Sequence, residues 1–232
     1  MDYAIIAAGE GSRLAQEGVL YPKPLVPLNG VPLIERLIRI FARHNARTIN
    51  IIINSRQPET QQLLESLSSA FPLNIVVKDT PSSMHSMHAL APYLQKGKFC
   101  LTTVDTVFQE EEFGAYIRKF EESSCDGLMA VTDYIDDEKP LYVGTAPDMH
   151  ITGFYDTAQS DTRYISGGIY GLTTASLATL DHCIASGSSR MRNFQRNLVA
   201  DGFYLVAHPF GKVIDIDHAD DIEKAQHFIN ER

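Results

Sequence analysis

Tryptophan is absent from the 232 residues, and cysteine is scarce, with three scattered residues at Cys100, Cys125 and Cys183. Without tryptophan, an aromatic wall around any ligand must be built from tyrosine and phenylalanine. An odd number of unpaired, widely spaced cysteines excludes a disulfide framework and points to reduced thiols and a cytoplasmic location. No cluster of Lys or Arg occurs, and the formal net charge is −9 (20 basic against 29 acidic residues), which argues against a nucleic-acid surface. No apolar run approaches membrane-spanning length. The first apolar stretch, Tyr3 to Ala8, is too short and lacks the cationic start of a secretory signal. Two glycine fingerprints are missing as well. The dinucleotide pattern Gly-x-Gly-x-x-Gly fails because its third position is Leu14, and no Gly-Lys-Ser/Thr opens a helix. Nor is there a convincing Ser/His/Asp constellation.

What is present is concentrated in residues 6 to 25. The strand-like run Tyr3 to Ala8 breaks at Gly9, and Gly9 and Gly11 flank a tight turn followed at once by Arg13. Lys23 stands ten residues later within Pro22-Lys23-Pro24. Glycines let backbone amides approach an anion, and a lysine braced between prolines has little conformational freedom, wasteful for a solvated surface charge. Two cations beside a glycine turn can neutralise a polyphosphate. An acidic chain that binds one must concentrate its cations locally or use a metal.

The segment Ala8-Gly9-Glu10-Gly11-Ser12-Arg13, then Pro22-Lys23-Pro24-Leu25, resembles the signature of the sugar-phosphate nucleotidyltransferases, MobA-like and phosphocholine-cytidylyltransferase-like members included. The resemblance implies a Mg²⁺-dependent enzyme that joins an NTP to a phosphorylated small molecule and releases pyrophosphate. It implies catalytic roles for Arg13 and Lys23, and a nucleotide site drawing on Ala7, Ala8, Gly9, Gly11, Ser12, Arg13, Lys23, Ser82, Ser86 and Asp105. It also implies a chain that stops after its last helix, without the further C-terminal domain of some relatives.

The alternation of strand and helix argues for one α/β domain over 1–232, a Rossmann-like, doubly wound, mixed but mostly parallel sheet. Strands are expected at Thr48–Ile53, Asn74–Val77, Phe99–Val104 and Gly127–Thr132. Pro32 suits a first helical position, and Leu33, Leu37 and Phe41 form a helical stripe. Helices are expected over Pro58–Ala70 (Leu63, Leu64 and Leu67 inward), Ser83–Leu94, Glu110–Ser123 (Phe113, Ile117 and Phe120 inward), about 174–185, about 189–200, and Ala219–Asn230. The nucleotide-binding part covers about 1–132. Residues 133–172 read as a small antiparallel insertion over the active site, with strands at Leu141–Thr145, His150–Tyr155 and 167–170; further strands are expected near 203–207 and 212–216.

Ligands of open parallel sheets bind beyond the carboxyl ends of the strands, where Asp105 closes an apolar run. In the family pattern a glycine precedes this aspartate, and here it is Val104. Alternation along Asp215-Ile216-Asp217 points both acids to one face, so both could reach one ion. The expected metal pair is Asp105 with Asp217, with Asp215 as an alternative ligand or supporting acid. Asp220 and Asp221 suit the positive end of the last helix.

On the acceptor side, Thr80 to Leu90 departs from the sugar-specific pattern and is similar to that of cytidylyltransferases acting on phosphocholine or other small phosphorylated alcohols. Candidate acceptor residues are Met84, His85, Tyr142, Ser166, Gly167, Gly168 and Tyr170. His85 and His88, three apart, read as pocket-lining or surface residues and not as metal ligands. Tyr142, Tyr155 and Tyr164 could form an aromatic wall for a quaternary ammonium, and Lys139-Pro140 is similar to an acceptor-phosphate motif displaced in sequence. Two other readings stand beside this one: a metal-dependent glycosyltransferase acting on a nucleotide sugar, and a non-catalytic nucleotide-sensing module.

Overall fold

The computed structural model describes every residue except 137, 161 and 232. In chain order the elements are β1 (Asp2–Ala7), α1 (Ser12–Gln16), β2 (Pro27–Leu28), β3 (Val31–Pro32), α2 (Leu33–Arg43), β4 (Thr48–Ile53), α3 (Pro58–Leu67), β5 (Leu73–Val77) and α4 (Ser83–Leu90). They continue with β6 (Lys98–Thr103), β7 (Thr106–Val107), α5 (Glu110–Glu122), β8 (Gly127–Thr132), β9 (Tyr142–Thr145), β10 (Ile151–Tyr155) and β11 (Tyr164–Thr173). The chain closes with α6 (Ser176–Ala185), α7 (Met191–Ala200), β12 (Leu205–Phe210), β13 (Ile214–Asp215) and α8 (Ala219–Asn230).

β1 lies between β4 and β6, all parallel, with Ile5 opposite both Ile51 and Thr102, and β5 completes this half at the edge. Helices cover both faces, so these strands are apolar throughout instead of alternating. Period-two geometry still sorts them. Tyr3 and Ile5 enter one core with Phe41, Phe113 and Phe120, while Ala4 and Ile6 enter the other with Met84, Met87 and Phe194. None of the described helices is long and apolar enough to cross a membrane.

The second half is antiparallel around β11. One edge of β11 pairs first with β9 (Tyr164 opposite Val143) and then with β6 (Ile169 opposite Thr102). The β9–β10 hairpin therefore continues the line of β6 past its carboxyl end, where the insertion was expected. The other edge of β11 pairs with β8, and β8 in turn pairs in parallel with β12. A register shift between Ser166 and Tyr170 marks a bulge in which Gly168 has φ +71°. A Cβ at Gly168 would stand 3.0 Å from Thr106 Oγ1, so glycine admits the β7–β13 ribbon at this point.

Several boundaries differ from the sequence reading, three of them with an evident local cause. Pro32 closes the β2–β3 ribbon around an Asn29-Gly30 turn, both residues at positive φ, and α2 starts at Leu33. α4 ends at Leu90 and passes into a 3₁₀ turn over Ala91–Tyr93, because Pro92 offers no N–H to continue the α-helical ladder. The last strand shrinks to Ile214–Asp215, since the Ile216 N–H is taken by the Asp105 carbonyl at 3.1 Å.

Candidate active site

The glycine turn leaves β1 at the carboxyl end of the parallel strands. Gly11 sits at φ +62° as the N-cap of α1, and an added Cβ would be 3.0 Å from the Cβ of Lys23. Both conditions select glycine, one by backbone sterics and one by close approach. Gly9 differs: its Cβ would meet nothing within 4 Å. Asn54 Nδ2 donates to the carbonyls of Ala8 (3.2 Å) and Gly9 (3.3 Å), and Gln57 Nε2 donates to Gly9 O (3.3 Å). These amides occupy carbonyl oxygens that would otherwise repel a phosphate.

Four side chains named from the sequence meet beside this turn. Lys23 Nζ is 2.5 Å from Asp105 Oδ2 and donates to Asp217 Oδ1 at 2.7 Å, while Arg13 Nη1 donates to Asp217 Oδ2 at 2.9 Å. Burial works against the Lys23 charge, but Asp105 and Asp217 together outweigh it and hold the ammonium protonated well beyond the usual lysine range. The same contacts overcome the burial of Asp217 and hold its carboxyl below the ordinary aspartate value. Asp215 lies across the β7–β13 ribbon from Thr106, close enough to Asp105, Lys23 and Asp217 to feel their charges. Its carboxylate is open to the cleft yet crowded by protein atoms, and with Asp105 nearby it is pushed up to about 7.

Two clefts meet here. The first, about 580 Å³, runs between the glycine turn and the start of α4, with Ala8, Gly9, Gly11, Ser12, Lys23, Ser82, Ser86 and Asp105 in its wall. Thr80 Oγ1 and Ser86 Oγ share a 2.6 Å hydrogen bond that fixes this end of α4. The second, about 600 Å³, lies under the insertion and is lined by Ser166, Gly167, Lys139, Arg190, Arg192, Asp215 and His218 among others. Arg13 and Asp217 border both.

Other expected residues lie elsewhere. Ala7 is buried within β1 and Met84 is fully enclosed in the core, so neither reaches a cleft. Gly168 packs on Thr106, and Tyr170 is buried. His85 accepts or donates a 2.8 Å hydrogen bond with Ser82 Oγ and lines neither cleft, while His88 pairs with Asp181. Tyr142 borders a small adjoining pocket with Lys139 and Arg192. Tyr155, opposite Tyr142 across the β9–β10 hairpin, covers Gly144 and Gly153, while Arg163 stacks over Tyr164. Asp221 accepts the His218 N–H at 2.8 Å as the α8 capping acid.

Several residues around the site escaped the sequence reading. Asn54, Arg56 and Gln57 follow β4, so the rule that ligands sit beyond strand carboxyl ends would have flagged them. Arg190 carries no pattern at all: it is placed by tertiary structure, at φ +70° before α7.

The acids suit a divalent cation. Asp105 Oδ1 is buried and has no hydrogen-bond partner among the described residues, and two carboxylates share one ammonium. Hard oxygen donors of this kind suit Mg²⁺. Among the described residues no three His, Cys, Asp or Glu side chains form a metal cage. Such an ion would rest on one or two carboxylates, with ligand oxygens completing its shell, as Mg²⁺ commonly does.

The model of the MobA-like NTP transferase domain matches residues 3–167, a span that includes the glycine turn, Lys23 and Asp105. The chain is 27% identical over 111 residues to the 2-aminoethylphosphonate cytidylyltransferase of Lancefieldella rimae, covering 46% of this chain and 44% of that protein. It is 22% identical over 237 residues to the bifunctional protein GlmU of Methanococcus maripaludis, covering 99% of this chain and 55% of that protein. The chain thus spans about half the length of these curated relatives. The solved inositol-1-phosphate CTP transferase of T. maritima shares the fold at a TM-score of 0.82 and 17% identity, over 99% of this chain and 96% of that one. With the family model covering well over half of its residues, the chain belongs to the MobA-like NTP transferase family.

Proposed function

We propose that the chain is a Mg²⁺-dependent nucleotidyltransferase. It joins an NTP in the first cleft to a phosphorylated small molecule in the second, a sugar 1-phosphate or an alcohol phosphate of the phosphocholine type. An acceptor phosphate oxygen attacks the α-phosphorus, the bond from that phosphorus to the β-phosphate oxygen breaks, and pyrophosphate leaves. One observation carries the reading: Arg13 and Asp217 border both clefts, with Lys23 bonded between Asp105 and Asp217 beside the first.

The attacking and attacked groups are both anionic, so the cost is electrostatic and fixed cations are what lower it. Lys23 compensates charge growing at the α-phosphate. Arg13 and the glycine-turn amides hold the departing pyrophosphate. Mg²⁺ on Asp105 and Asp217, with Asp215 as the alternative, supplies further charge compensation when bound. The acceptor phosphate is already ionised near neutral pH, so no general base is needed, in keeping with a centre built from two cations and three acids. A relative named as a 2-aminoethylphosphonate cytidylyltransferase and a fold neighbour named as an inositol-1-phosphate CTP transferase favour a cytidylyl donor and a small acceptor. Three free, buried cysteines suit a cytoplasmic enzyme.

Pyrophosphate release should be measured with Mg²⁺, each of CTP, UTP, GTP and dTTP, and a pool of sugar phosphates and phosphocholine-like acceptors. Release with one donor and one acceptor class is expected. Nucleotide binding with no release from any pair would overturn the reading in favour of a sensing module, and transfer only from a nucleotide sugar would replace it with a glycosyltransferase.

A further inference from the structure

Three ion pairs at the centre join groups that the substrates would claim for themselves: Arg13 with Asp217, and Lys23 with Asp105 and Asp217. Once phosphates and a cation arrive, Arg13 and Lys23 turn to phosphate oxygens and Asp217 to the cation. Arg13–Asp217, the ion pair that holds α1 against residues 215–219, is then among those exchanged. α1 has five residues, far below the length at which a helix holds itself in water. Something other than those pairs must keep Arg13 in register with Asp217.

Glu17 meets that need. It is the C-cap of α1, and both of its oxygens cross to the start of α8: Oε1 is 2.6 Å from His218 Nδ1, and Oε2 accepts the Ala219 N–H at 2.7 Å. His218 directly follows Asp217, its own N–H is taken by Asp221 Oδ2 at 2.8 Å, and its ring borders the second cleft. Behind the ring, Nε2 is 3.7 Å from Glu138 Oε1 on the insertion. The Ala219 N–H and His218 hold the Glu17 carboxylate below the ordinary glutamate range. None of these contacts uses a group that a nucleotide or cation would displace.

The geometry points to Glu17 and His218 as a positioning pair that locks the Arg13 helix to the Asp217 segment while the substrate-exchanged ion pairs open. This rests on the transferase reading above. The pair touches no reacting atom and acts through Arg13 and Asp217.

The test compares Glu17→Ala, Glu17→Gln and His218→Asn by pyrophosphate-release kinetics, NTP binding, thermal midpoint and amide hydrogen exchange over residues 12–19 and 215–219. A misplacement near 1 Å lowers turnover by about ten- to hundredfold. Glu17→Ala should therefore lose about that much kcat, with acceptor KM within about twofold and the thermal midpoint within about 2 °C, as expected for a half-exposed side chain. Hydrogen exchange at Ala219 should quicken. Glu17→Gln should recover most of the loss, since its Oε1 can accept the Ala219 N–H and its Nε2 can donate to Nδ1. His218→Asn should fall between the two. Unchanged kcat in Glu17→Ala, equal loss in Glu17→Ala and Glu17→Gln, or unchanged exchange over 215–219 would each overturn the assignment. Should the wild-type chain release no pyrophosphate, the transferase reading fails by itself. The brace is then judged by exchange and by NTP binding, which Glu17→Ala must weaken.

Discussion

Lys23 shows how a side chain with a proposed chemical role can also be structural. Its proline bracket suggests a group held for catalysis with no part in the fold, yet its side chain is only 12% exposed and it is the ammonium shared by Asp105 and Asp217. Removing it leaves two carboxylates facing each other in a partly enclosed space. Lys23→Met should lower turnover by about 10²- to 10³-fold, the loss typical of a preorganised charge at a reacting phosphate or carbonyl. It should also lower stability in the absence of divalent cation by about 1–3 kcal/mol, less than a fully buried pair would cost because Asp217 is half exposed. Added Mg²⁺ should recover the thermal midpoint, because the ion replaces the missing charge; no recovery in a thermal-shift series would count against metal at these acids. Asp215 gives a pH signature of opposite sense to most acids. Its pKa is near 3.8 in the unfolded chain and about 7 in the folded protein. Between those values the folded state keeps a proton that the unfolded state has lost, so this group makes stability fall as pH rises from about 4 to 7. Asp215→Asn should therefore be more stable than wild type at pH 8, and the gap should close near pH 4. Chemical denaturation at the two pH values measures it, and a gap independent of pH would refute the crowding of Asp215.

The glycine turn separates two reasons for a glycine that look identical in sequence. Gly11 is required by the fold: positive φ and contact with Lys23 make Gly11→Ala cost about 1–2 kcal/mol and shift the lysine. Gly9 has room for a methyl group and no positive φ, so the fold does not require it. Gly9→Ala should keep the wild-type thermal midpoint but raise the NTP KM, since the methyl occupies space that a phosphate needs; an unchanged KM would mean that phosphate does not approach there. Much of the element plan was legible. β4, β8 and α8 begin and end where periodicity, β-branched runs and capping acids place them. The structure also brings Arg13, Lys23, Asp105 and Asp217 together, residues picked out by a signature of fixed spacing and by the strand-end rule, neither of which depends on distant packing. The failures share a cause. Alternation cannot say that Ile216 will leave its strand to bond the Asp105 carbonyl, which ends β13 at Asp215. Met84 looked like pocket lining because its neighbours Ser82 and Ser86 are, but a helix turns it through to the core.

At the scale of the molecule, the sheet is divided between the two clefts. Its parallel half ends in the first cleft, and its antiparallel half, extended by the β9–β10 hairpin past β6, walls the second. Cations are distributed in the same way. Arg56, paired with Glu10, borders the first cleft and not the second; Arg190 borders the second and not the first, and has no carboxylate partner among the described residues; Arg13 borders both. By contrast Arg192 is neutralised by Asp156, and Lys224 by Asp136 and Asp221. An unpaired guanidinium in a cleft proposed to receive a phosphate is a natural recognition group, because planar donors match phosphate oxygens in pairs. A charged hydrogen bond contributes about 1.5–3 kcal/mol. Exposure lowers this, so Arg190→Ala should raise acceptor KM about tenfold while NTP KM stays within about twofold. Arg56→Ala should do the reverse, with a smaller effect because its charge already faces Glu10 at 2.7 Å. Arg13→Ala should lower turnover at saturating concentrations of both substrates, since it stands where they meet. Steady-state kinetics varying each substrate in turn distinguishes the three, and an Arg190→Ala variant defective for NTP and normal for the acceptor would reverse the assignment of the clefts.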